Sequence, residues 1–137
     1  MLTLFLYIFK RRKNSCPSGK YISPCKCSGN GEIGGLELDC TDRPLGDDKI
    51  SQILNIFLQD EDRLGKILLR NTGLSKVPEE IGQFTRLAFV DLQFNKIRSI
   101  KSGAFKFPDI VKEPGSVDLG YNQIGLIEDN AFQGRPT

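Results

Sequence analysis

The chain has 137 residues and no histidine, which suits one modest domain and removes Ser-His-Asp and Cys-His nucleophile systems, histidine general bases and His-containing zinc sites. Its 19 basic and 17 acidic residues leave a formal net charge of +2, too balanced for a dedicated nucleic-acid binder or a disordered acidic tail. Lys10, Arg11, Arg12 and Lys13 stand together, so the 124 residues after them carry fifteen basic and seventeen acidic groups and are weakly acidic.

The first segment, residues 1–15, opens with an apolar run from Met1 to Phe9 that only Thr3 interrupts. A helix needs about 20 apolar residues to cross a bilayer, so this run is too short to span one. Its length suits the apolar core of a secretory signal, roughly 7 to 15 residues. The layout is atypical, because the positive charge follows the core and no small-residue cleavage site appears. The expectation is an atypical leader of a secreted protein or an N-terminal tail; on either reading it stays outside the fold. Membrane association is not indicated by any spanning segment.

The next segment, residues 16–46, holds all four cysteines, Cys16, Cys25, Cys27 and Cys40, within 25 residues. An even, clustered set reads as a local disulfide framework or a local metal site. Asn30-Gly31 between the third and fourth cysteine signals a tight hairpin turn. After it, Leu36, Leu38 and Cys40 alternate with Glu37 and Asp39, the pattern of a half-buried strand. If Cys25 and Cys27 lie in extended chain their thiols share one face, and each then bonds Cys16 or Cys40 in one of two arrangements. A four-cysteine zinc site is the competing reading, but one C-x-C with distant outer cysteines poorly matches the usual paired knuckles. Two short motifs are decoys. Gly29, Gly31 and Gly34 spell G-x-G-x-x-G with a strand following where a helix should open, and Ser23 to Lys26 spells S-x-x-K with Pro24 opposing the helix it needs.

Residues 47–63 read as a helix and a loop. Ile50, Ile53, Leu54, Phe57 and Leu58 recur at helical spacing, and Asp47 and Asp48 are placed to cap the positive end. The polar run Gln59 to Arg63 then reads as a solvated acidic loop.

Residues 64–137 repeat. Leu64, Ile67, Leu69, Thr72, Leu74 and Val77 match Leu87, Val90, Leu92, Asn95, Ile97 and Ile100 at an offset of 23 residues, and Val117, Leu119, Asn122, Ile124 and Ile127 form a third copy. This is the leucine-rich repeat pattern. Alternation sends Ile67 with Leu69, Val90 with Leu92, and Val117 with Leu119 into the core, while Asn95 and Asn122 sit where a buried amide can bond free backbone groups of neighbouring turns. Phe84, Phe105 and Phe132 are expected to seal the opposite, convex layer. The third asparagine lies 27 residues after the second, with the extra residues placed at Lys112, Glu113, Pro114 and Gly115. Three repeats are about the minimum for such folds, so an exposed apolar C-terminal end and a longer parent array are expected.

The ensemble from Cys16 to Gly134 resembles extracellular leucine-rich repeat proteins that begin with a cysteine-rich cap. The resemblance implies an α/β solenoid with parallel strands on its concave face, a disulfide-stapled N-terminal β-hairpin cap, and the pairing of Cys16 with Cys27 and Cys25 with Cys40. More narrowly, Cys16-Pro17 followed by Ile22-Ser23-Pro24-Cys25-Lys26-Cys27 is similar to arthropod proteins labelled as the non-catalytic subunit of a shrimp luciferin monooxygenase, which implies a binding subunit.

Strand positions that face away from the core of a solenoid are available for contact. Here the candidates for binding a protein ligand or receptor are Lys66, Leu68, Arg70, Phe89, Asp91, Gln93, Phe94, Asp118 and Tyr121. Exposed aromatics beside Arg and Asp are typical of binding hot spots; the competing reading is that rings such as Phe89 or Phe94 tuck into a neighbouring repeat. No catalytic residues, cofactor or metal ligands are expected, since no convergent polar set with plausible roles appears. The resulting expectation is a secreted protein-recognition module, or an accessory subunit of a larger secreted complex.

Overall fold

The hairpin expected around the asparagine-glycine step is formed by β1 (Lys26–Asn30) and β2 (Gly35–Asp39), antiparallel with Cys27 opposite Leu38. The computed structural model describes residues 15–30, 34–59, 64–106 and 115–132. Residues 1–14, 31–33, 60–63, 107–114 and 133–137 lie outside the described residues, and with them the expected leader, most of the expected acidic loop and three of the four extra residues of the third copy. A single helical turn, α1 (Gly19–Ile22), precedes the hairpin and buries Ile22.

Disulfides join Cys16 to Cys27 and Cys25 to Cys40 with Cα separations of 5.8 and 4.4 Å, and no cysteine is free. That is the pairing the resemblance implies, and it leaves no thiolate for zinc. Both bonds are chemistry of an oxidising, extracellular-type environment. As the alternation predicts, Leu36, Leu38 and Cys40 are buried while Glu37 and Asp39 are partly exposed.

Helix α2 (Gly46–Leu58) presents Ile50, Ile53, Leu54 and Phe57 to the core, each no more than 1% exposed, whereas Leu58 at the edge of that face is half-buried. The caps differ from expectation. The helix begins at Gly46 behind Leu45, with no side-chain capping bond, so Asp47 falls inside the first turn and its carboxylate turns away. It accepts instead from the Ser75 N–H at 3.0 Å and the Ser75 hydroxyl at 2.5 Å, fastening the helix to chain 28 residues further on. Both aspartates still lie at the positive end of the helix dipole. The partly buried carboxylate of Glu80 in the 3-10 turn Glu79–Gln83 accepts from Ser51 Oγ and Asn55 Nδ2, adding a second polar tie.

Parallel strands continue the sheet from β2. They are β3 (Leu64–Leu68), β4 (Phe89–Asp91) and β6 (Ser116–Asp118), in the order β1-β2-β3-β4-β6. A second, two-stranded parallel sheet pairs β5 (Ser99–Ile100) with β7 (Leu126–Ile127). Ile67 stands opposite Val90 and Val90 opposite Val117, so the longer spacing of the third copy leaves strand register intact. The fold is therefore a small α/β structure with a parallel-rich sheet and two disulfides.

Its core runs between the main sheet and the helical layer: Ile67, Leu69, Leu74, Val90, Leu92 and Ile97 are fully buried, with Phe84 and Phe105 behind them. The third copy is less buried than its pattern predicts. Val117 and Leu119 are half-buried, and Leu126 and Ile127 are 58% and 55% exposed, because among the described residues no further strand pairs with β6 or β7. Phe132, expected in the convex seal, remains 38% exposed and stacks on Phe105 with ring centroids 5.3 Å apart.

One glycine is set by close approach. Leu36 pairs with Leu64 but Glu37 with Lys66, which makes Gly65 the extra residue of a bulge between β2 and β3. A Cβ there would collide with the Gly34 carbonyl oxygen. Gly65→Ala should therefore lower stability by about 1 to 3 kcal/mol, the usual cost of forcing backbone to move, read as a lower urea midpoint of the oxidised protein.

Candidate functional site

Every strand of the main sheet from β2 onward ends in a turn, and the same polar device recurs at three of them. Asp39, Leu68, Asp91 and Asp118 stand side by side across four strands. Each aspartate accepts from the backbone N–H two residues on: Asp39 from Thr41 at 2.9 Å, Asp91 from Gln93 at 3.0 Å and Asp118 from Gly120 at 3.0 Å. Such a bond mimics a backbone turn and ends the strand.

The turns are held from beneath by a buried amide ladder. Asn95 Oδ1 accepts from the N–H groups of Thr72 at 3.1 Å and Leu74 at 3.0 Å, and Asn95 Nδ2 donates to the carbonyls of Leu69 and Leu92 at 2.9 and 3.0 Å. Asn122 repeats this one turn on, accepting from Ile97 N–H at 3.0 Å and donating to the Leu92 and Leu119 carbonyls. Thr72, fully buried, has only a hydroxyl, which donates back to Leu69 at 2.8 Å.

Above the ladder runs a column of left-handed residues, Asp42, Asn71, Phe94 and Tyr121, with φ of 63°, 53°, 57° and 56°. Cross-turn hydrogen bonds tie its members together: Asp42 N–H donates to Arg70 O, Asn71 N–H to Gln93 O and Phe94 N–H to Gly120 O. Asp and Asn tolerate this backbone, but it costs a bulky side chain about 1 to 2 kcal/mol. The polar half is joined by a bond from Asn71 Nδ2 to Asp42 Oδ1 at 3.0 Å. The aromatic half is a near-parallel stack, with the Phe94 and Tyr121 centroids 4.3 Å apart and the planes 5° from coplanar. These rings are 44% and 74% exposed.

The nine candidate residues divide by environment. Lys66, Phe94 and Tyr121 are exposed, whereas Leu68, Arg70, Phe89, Gln93 and Asp118 are intermediate. Asp91 is only 8% exposed, because its carboxylate is used internally. It accepts from Gln93 N–H and Gln93 Nε2, and it pairs with Arg70 Nε at 3.3 Å. Arg70 also lies over the Phe94 ring, 5.7 Å from its centroid. Across the strands, Lys66 stands opposite Phe89 and Phe89 opposite Ser116. The face is thus an acidic row beside an aromatic column, with Arg70 bridging the two.

Asp39 and Asp42 extend this face into the cap, although the sequence reading did not place them there. The signal was present as an aspartate at each of three strand ends, followed two residues later by Thr41, Gln93 or Gly120. No helix among the described residues is long and apolar enough to cross a membrane, and no group of three His, Cys, Asp or Glu among them could hold a metal ion. The chain matches no protein-family model, no curated protein and no solved structure.

Proposed function

We propose that this chain is a non-catalytic extracellular protein-recognition module, a leucine-rich repeat solenoid closed by a cysteine-rich cap, that binds a protein ligand or receptor through the outward strand ends without a cofactor. One observation carries the reading. Two large aromatic rings are held exposed and stacked on backbone that disfavours them, beside an arginine and a row of carboxylates. Strain at an exposed position points to a use for the side chain, and rigid aromatics beside Arg and Asp are what protein interfaces concentrate.

Stability and binding separate cleanly at this position. Asparagine accepts left-handed backbone, so in Phe94→Asn or Tyr121→Asn the relief of about 1 to 2 kcal/mol offsets a lost stacking contribution of about 0.5 to 1.5 kcal/mol. Urea midpoints should hardly move, while affinity for a partner purified from extracellular fluid should fall at least about ten-fold, as for a hot-spot residue. Unchanged affinity in both variants would sink the reading.

A second reading, an accessory subunit of a larger secreted complex like the arthropod non-catalytic subunits, is favoured by a different surface. Leu126 and Ile127, which form β7, and Phe132 after it together expose apolar side chains. Co-purification of a second polypeptide at fixed stoichiometry, lost when Leu126 and Ile127 are both changed to serine, would favour it.

A further inference from the structure

Two successive turns carry the same pair of groups, an aspartate at the strand end and an aromatic three residues later: Asp91 with Phe94, and Asp118 with Tyr121. In the first turn a cation completes the set. Arg70 reaches across from the preceding strand to bond the Asp91 carboxylate at 3.3 Å and to cover the Phe94 ring at 5.7 Å. In the second turn the residue equivalent to Arg70 is Gln93, since each immediately precedes a left-handed residue of the column. Gln93 is neutral, and its amide turns back to Asp91. Among the described residues, Asp118 therefore keeps only its bond from the Gly120 N–H and has no cation. Tyr121 is 74% exposed.

Resting on the proposed protein-recognition role, we infer that Asp118 and Tyr121 form a receiving site for an arginine side chain of the protein partner. The chain's own Arg70 shows the occupant in the neighbouring turn. A planar guanidinium can pair with a carboxylate while stacking on a ring, which a compact ammonium does less well. The surroundings suit a basic partner, because Glu37, Asp39, Asp42, Asp91 and Asp118 share this surface with Lys26, Lys66 and Arg70, an excess of carboxylates. Gly120 leaves the approach open, since it has no side chain where the preceding turns carry Gln93 and Arg70.

The test uses the full oxidised chain and N-acetyl-arginine methylamide, with the citrulline analogue as a neutral control of the same shape. Amide signals of Gly120 and Tyr121 should shift saturably at millimolar arginine amide and not with citrulline. Asp118→Asn keeps an oxygen for the Gly120 N–H, so the turn survives, and arginine binding should weaken about ten-fold through loss of the charge pair and its support of ring stacking. Gln93→Arg should abolish binding by supplying the cation from within, as Arg70 does one turn earlier. Equal shifts with citrulline, or titrations unaltered by both variants, would overturn the inference. The two proposals fail separately. If partner affinity drops in Tyr121→Asn but is untouched by Asp118→Asn, the arginine site falls and protein recognition stands. If arginine amide binds as described and partner affinity ignores Tyr121→Asn, recognition through this face falls instead.

Discussion

Replacing Asn95 by alanine should lower the free energy of unfolding by about 2 to 5 kcal/mol, because it orphans two buried donors at about 1 to 3 kcal/mol each. The donors are the Thr72 and Leu74 N–H groups, whose acceptor is Asn95 Oδ1. The carbonyls on the other side of the amide fare better. Leu69 O still accepts from Thr72 Oγ1, and Leu92 O from Asn122 Nδ2. Asn122→Ala orphans a single ladder donor, the N–H of buried Ile97, but Asn122 itself is only half-buried, so water can enter where its amide stood, and the change should cost about 1 kcal/mol. Urea denaturation of the oxidised protein checks both values. Equal effects at the two positions would mean that burial of the ladder does not set its strength.

The second large effect is expected at the cap. Changing Cys25 and Cys40 together to alanine should remove about 3 kcal/mol by loosening the unfolded chain, with a further loss from packing, since the two residues are 6% and 0% exposed within the core cluster. Cys16 and Cys27 are half-buried, and their bond spans 11 residues rather than 15. The logarithmic dependence on loop length makes the entropic difference only about 0.3 kcal/mol. Burial therefore decides which bond matters more, and the Cys25–Cys40 variant should unfold at lower urea than a Cys16–Cys27 variant. Alkylation under a limiting reductant should label Cys16 and Cys27 first. Labelling in the opposite order would contradict the burial argument.

Period and alternation carried most of the architecture in the sequence. The offset between Ile67 and Val90 reappears as strand register, the helical spacing of Ile50, Ile53, Leu54 and Phe57 as the buried face of α2, and the asparagines as a ladder. These signals are strong because each reflects one side of one element meeting the core. What failed depends on neighbours. Phe132 fits the pattern of the convex seal yet remains 38% exposed, since a periodic sequence specifies a face but not whether another layer covers it; Ile127, also exposed, accords with the apolar end expected of so short an array. Asp47 resembles a cap but serves Ser75, because the helix starts at Gly46, two residues before an Asp47 cap would place it.

The candidate face was legible as a list of outward positions, but not as a set of interactions. Alternation identifies Asp91 and Asp118 as equivalent. It does not reveal that Asp91 is enclosed by Arg70 and Gln93 while Asp118 keeps one hydrogen bond. Nor could periodicity show that Phe94 and Tyr121 stack on left-handed backbone, a property of the turn that follows the strand.

In the main sheet the strands lie in the same order as in the chain, each paired only with the strands of that sheet before and after it, β5 being set aside in the second sheet. Among the described residues no distant segment returns to lock an early strand against a late one, so structure can open from the β6 side while the region around Cys25–Cys40 stays closed. Amide exchange should accordingly be graded along the sheet, slowest near Leu38 and Ile67 and fastest near Val117, rather than uniform as in a fold whose ends are paired together.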